Sequence, residues 1–153
     1  MSELDREAIR AMRRSYGEVG LESLPADPFA AFSTWLKEAA ANDFIVEANA
    51  MVLSTLDAGE QISTRTVLLK DISDGGFTFF TNYSSRKAQA IELNSQVTLL
   101  FPWFAMERQV AISGLAEKLA NPNLLNTLQL ALGLVRSELG QVRNLRHFHL
   151  AKN

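Results

Sequence analysis

Ala50–Leu56 (AMVLSTL), Asp57–Glu60 (DAGE) and Gln61–Lys70 (QISTRTVLLK) decide the fold. The outer runs are short, apolar and rich in Val, Leu, Ile and Thr, while Asp and Gly sit between them. Together they read as strand, turn and strand, a β-hairpin. Upstream lies LPADPFAAFSTWLKEAAAND. Asp27 is a good N-cap and Pro28 suits the first helical position. Phe29, Phe32, Leu36 and Ala39/Ala40 recur at helical spacing, so one apolar face should lie on the core.

Downstream, Asp71–Gly76 reads as a loop and Phe77–Thr81 as a half-buried strand. Ser84 or Ser85 can cap a helix running to Asn94. Val97–Phe101 and Arg108–Leu119 read as two more strands. One long helix followed by many strands and one short helix argues a mainly β, α+β fold with an antiparallel barrel or sandwich. The chain divides into an arm over residues 1–20 (mobile or a short helix), a core over 21–120 and a segment over 121–153. In that last segment Leu, Ala and Val are dense from Leu124 to Leu139, which reads as an amphipathic helix.

Composition narrows the chemistry. The chain has 153 residues, 47% hydrophobic, with a net charge of −2. That suits one domain and gives no general pull toward nucleic acid or acidic membranes. No stretch is apolar for long enough to span a bilayer, and MSELDREAIRAMRRSYGE does not read as a secretory signal. A cytoplasmic location is the expectation. Cysteine is absent, which removes disulfides, thiolate nucleophiles and most zinc sites. The two histidines, His147 and His149, are too few for a metal site, and no metal is expected.

Cations gather where the backbone predicts an anion site. Arg65 and Lys70 share a strand and, five residues apart, point to opposite faces unless a bulge intervenes. Ser85, Arg86 and Lys87 open the short helix, whose free N–H groups suit a phosphate. The alternative is a pair of solvated surface cations. Gln109 could bond a heterocycle through its amide, or simply sit on the surface.

RTVLLK (65–70), TNYSSRKA (81–88), LLFPW (99–103) and ERQV (107–110) occur in this order, with LPADP ahead of the first helix and RRSY at Arg13–Tyr16. In these motifs the chain resembles the pyridoxine/pyridoxamine 5′-phosphate oxidases over roughly Arg13 to Ala120. The resemblance implies a split β-barrel and a homodimer with flavin mononucleotide (FMN) at its interface. It implies FMN contacts from Arg65, Thr66, Val67, Leu68, Leu69, Lys70, Phe80, Thr81, Arg86, Lys87 and Gln109. Arg86 and Lys87 would hold the phosphate and Gln109 would lie near the ring. Lys70 and the segment Arg13, Arg14, Ser15 and Tyr16 would meet the substrate. The implied reaction oxidises pyridoxine or pyridoxamine 5′-phosphate to pyridoxal 5′-phosphate, with dioxygen as acceptor. Alternatives are an FMN-binding split-barrel protein without turnover and a reductase-like relative with another substrate; the motifs disfavour the latter.

After Ala120 the family pattern stops, leaving the barrel expected to be incomplete at its C-terminal end. Joining the third base of each codon to the first two of the next restores much of it. Leu134–Val135 through Leu139–Gly140 then permit Ser, Gln, Ile, Gly, Ala and Trp in unbroken order. Asn126–Thr127 permits Tyr, Leu130–Ala131 permits Arg, and Ala131–Leu132 permits Pro. So many matches in register point to a frameshift close to Ala120. The Gln-Ser flavin contacts and the Tyr, Arg and Ser substrate ligands implied by the resemblance are then not encoded as protein.

Overall fold

The computed structural model describes residues 9, 11–12, 25, 27–73, 76–82, 84–118, 128–133 and 148–152. Helix α1 (Pro28–Ala40) starts as expected: the Asp27 carboxylate accepts the Phe29 N–H at 3.0 Å, with Pro28 in the first turn. Strands β1 (Ala50–Leu56) and β2 (Ile62–Ser73) form the hairpin, paired from Ala50↔Leu68 to Leu56↔Ile62. Its turn is closed by Asp57, whose Oδ1 accepts the N–H groups of Gly59 at 2.9 Å and Gln61 at 3.0 Å. Glu60 completes the turn with φ 56°, a left-handed conformation that costs a side-chain-bearing residue energy.

Strand β3 (Gly76–Thr81) follows β2 directly, and Ser73 pairs with Gly76. The expected loop at Asp71–Gly76 is therefore shorter, because strand pairing takes up most of it. The β2–β3 register shifts between Leu69 and Asp71. This bulge leaves Lys70 and Asp71 both exposed before Ile72 turns back toward the core. Helix α2 (Arg86–Leu93) is capped by Ser85, whose Oγ accepts the Ala88 N–H at 3.3 Å. Strands β4 (Gln96–Trp103) and β5 (Arg108–Lys118) pair along their length, from Gln96↔Leu115 to Trp103↔Arg108.

The pairing order is β4-β1-β2-β3-β6-β5-β7, and β4 also pairs with β5. Six strands thus return on themselves as a barrel, with β7 (Phe148–Lys152) attached beside it. Strand β6 (Leu128–Gly133) bridges β3 and β5. The helical reading is corrected here: within 121–153, residues 128–133 and 148–152 are strands. Leu128, Leu130 and Leu132 alternate with Gln129, Ala131 and Gly133, a two-residue period that the overall density of leucine hides. A strand also satisfies backbone groups along β3 and β5 that a helix would leave unpaired.

The core lies between α1 and the inner face of the barrel. Phe32 is fully buried, with ring centroids 5.0 Å from Phe77 and 4.8 Å from Phe101. Trp103 joins this aromatic group and donates its Nε1–H to the Ala48 carbonyl at 2.9 Å. Arg108 fastens α1 from the other side, with its guanidinium 4.8 Å from the centroid of the Trp35 ring and ion-paired to Glu38. Among the described residues no helix is long and apolar enough to cross a membrane.

Candidate functional site

Arg65 stands opposite Leu53 in the hairpin, on the same face of β2 as the buried Val67 and Leu69. Its Nη1 donates to Thr55 Oγ1 at 2.7 Å and more weakly to the Leu53 carbonyl at 3.4 Å. Burial, and then the charge of Arg86, pull the Arg65 guanidinium below its usual pKa. Helix α2 packs against β1, so the strand pair and the start of this helix bring two guanidinium groups within electrostatic reach. Among the described residues neither forms an ion pair with a carboxylate.

Hydroxyl groups edge this cationic spot. Thr81, at the end of β3, is buried, and its Oγ1 lies 3.2 Å from Ser85 Oγ. Just before the helix, Asn82 Oδ1 accepts from both the N–H and the Oγ of Ser84 at 3.0 Å. Lys87 is the second residue of α2 and is half-buried. Two cations and the positive end of a helix fit a phosphate, which would relieve the repulsion between Arg65 and Arg86.

The other expected residues fall elsewhere. Val67 and Leu69 belong to the core, so a ligand could meet only their backbone. Thr66 and Lys70 are exposed, Leu68 is half-buried, and all three lie on the opposite side of β2 from Arg65. Phe80 is 37% exposed while its neighbour Thr81 is buried. Gln109 is half-buried on the outward face of β5, opposite Pro102, whereas Val110 and Ile112 point into the core. One chain thus presents Arg65 and Gln109 on opposite faces of its barrel wall. Arg13, Arg14, Ser15 and Tyr16 lie outside the described residues, as does His147.

Thr55 escaped the sequence reading. The available signal was its parity: Met51, Leu53 and Thr55 share one face, so a hydroxyl stands where the strand is otherwise apolar.

A curled antiparallel barrel packed under one helix, with a cationic spot at the start of a second, defines a protein of the split-barrel class. The chain belongs to the pyridoxamine 5′-phosphate oxidase family, whose model matches residues 37–144. It is 47% identical over 116 residues to the pyridoxine/pyridoxamine 5′-phosphate oxidase of Shewanella sediminis, covering 74% of this chain and 54% of that protein. With the enzyme of the same name from Prochlorococcus marinus it shares 53% identity over 114 residues, or 73% of this chain and 50% of the relative. The chain therefore spans about half the length of the curated relatives it matches.

Among solved structures, PhzG from Burkholderia lata, in complex with tetrahydrophenazine-1-carboxylic acid, superposes with a TM-score of 0.61 at 27% identity. The match covers 67% of this chain and 52% of PhzG. A pyridoxamine 5′-phosphate oxidase-related, FMN-binding protein from Nostoc punctiforme gives a TM-score of 0.60 at 14% identity, over 74% of this chain and 82% of its own. The latter likeness establishes the fold.

Proposed function

We propose that this chain binds FMN and serves the oxidation of pyridoxine or pyridoxamine 5′-phosphate to pyridoxal 5′-phosphate, with dioxygen as acceptor, in the cytoplasm. The observation that carries this is the Arg65–Arg86 pair, held near the N-terminus of α2 without a counter-ion among the described residues. Its charge and hydroxyl surroundings suit the FMN phosphate, with Lys87 adding to the field. When bound, FMN supplies the hydride acceptor; the protein binds and orients the reactants. Lys70 and Arg13–Tyr16 are the proposed substrate contacts.

The proposed active form is a homodimer with FMN between the copies. The opposed faces of Arg65 and Gln109 support this: one copy grips the phosphate and the second offers its own Gln109 to the ring. The outward faces of β2, β1, β4 and β5 also carry uncharged rows, Thr66, Val52, Leu100 and Ala111, then Thr64, Ser54, Thr98 and Ser113. An uncharged sheet face of this breadth suits contact with another protein surface.

A second reading is FMN binding without turnover. It is favoured by residues 121–153, where the substrate ligands implied by the family pattern are not encoded and a shifted reading frame would restore them. The deciding experiment compares this chain with a frame-restored version. Purified protein is assayed for bound FMN by absorbance and for peroxide release on adding pyridoxamine 5′-phosphate. We expect FMN in both and faster peroxide release from the restored chain. A colourless protein that FMN does not titrate would overturn both readings. Stop codons in the shifted frame would overturn the frameshift.

A further inference from the structure

Thr55 is 2% exposed, on a β1 face otherwise given to Met51 and Leu53. A hydroxyl buried among apolar groups is costly unless it is bonded. Its described partner is Arg65, at 2.7 Å. A guanidinium can only donate, so Thr55 Oγ1 must be the acceptor in this bond. The contact is diagonal: Arg65 lies directly opposite Leu53, and its guanidinium reaches two residues along the neighbouring strand. Helix α2 packs against β1, the strand that carries Thr55, so the charge of Arg86 acts on Arg65, and an arginine side chain without a bonded partner would swing toward water. Thr55 opposes that motion.

We propose that Thr55 is a positioning residue for the phosphate end of the site, its hydroxyl oxygen holding the Arg65 guanidinium beside Arg86 so that an incoming phosphate finds both cations in place. The inference rests on the FMN reading above. It adds that the affinity for the phosphate depends on a residue that need not touch it. Fixing Arg65 in advance spares the ligand the rotamer entropy of ordering it.

The test is a titration with FMN and with riboflavin, which carries the same ring without the phosphate. Thr55→Val keeps the side-chain volume and removes the acceptor; Thr55→Ser keeps the acceptor. We expect Thr55→Val to weaken FMN about tenfold, roughly the worth of one hydrogen bond to a charged group. Riboflavin affinity should stay as in the unaltered protein, and Thr55→Ser should restore most of the FMN affinity. Equal weakening of both ligands would mean a merely structural role and would overturn the proposal. So would an FMN preference that survives Thr55→Val intact. If the unaltered protein binds FMN no better than riboflavin, the phosphate reading itself fails and takes this role of Thr55 with it.

Discussion

Arg65 joins hairpin geometry to charge: a half-buried guanidinium, bonded to the inner wall and crowded by a second cation. Arg65→Met should weaken FMN by tenfold or more, on the order of the ~1.5–3 kcal/mol of hydrogen bonding to a charged group. Fluorescence titration checks this, and added salt should diminish the difference where the site is open to solvent. At the hairpin turn, Glu60 holds φ 56°. Glu60→Gly removes the left-handed penalty of ~1–2 kcal/mol but adds chain entropy to the unfolded state. The expected net is a gain of about 0.5 kcal/mol, read from urea unfolding. Both residues lie in the hairpin that the sequence makes plain, yet neither Thr55 as a partner nor the strain at Glu60 was evident there. Partners across a sheet depend on register, and register comes from pairing rather than from either strand alone.

The two helices do different work. Helix α1 packs through Phe32 onto Phe77 and Phe101, so Phe32→Ala should cost about 3–5 kcal/mol by chemical denaturation. Helix α2 is short and depends on its cap. Ser85→Ala should cost about 1 kcal/mol and also loosen FMN, because the same residue orders the helix start beside Arg86. These elements were legible for local reasons: Asp27 and Pro28 open α1, Ser85 and Asn94 bracket α2, and β1 has the bounds its residues suggest. The strand at Leu128–Gly133 was not. Its alternation of leucines is genuine but brief, and its neighbours β3 and β5 are distant in sequence, so tertiary pairing decided its state.

For the whole molecule, the uncharged rows on β2, β1, β4 and β5 predict association between copies. Thr98→Lys would place a charge in the centre of that face, opposite Ser113. It should shift the proposed dimer toward monomer in sedimentation velocity, since burying an unpaired charge costs several kcal/mol. The barrel class could be read from the succession of elements, whereas the closure through β6 became visible only with the pairing. Along one edge β5 is shared: Arg108–Ile112 pairs with β7 and Leu115–Lys118 with β6. Ser113 and Gly114 fall between the two and pair on the other edge with Thr98 and Val97 of β4. An edge divided between two short partners should open in two independent pieces. Deuterium should enter the β5 amides that face β6 and β7 before it reaches those facing β4, where pairing runs unbroken from Gln96↔Leu115 to Trp103↔Arg108.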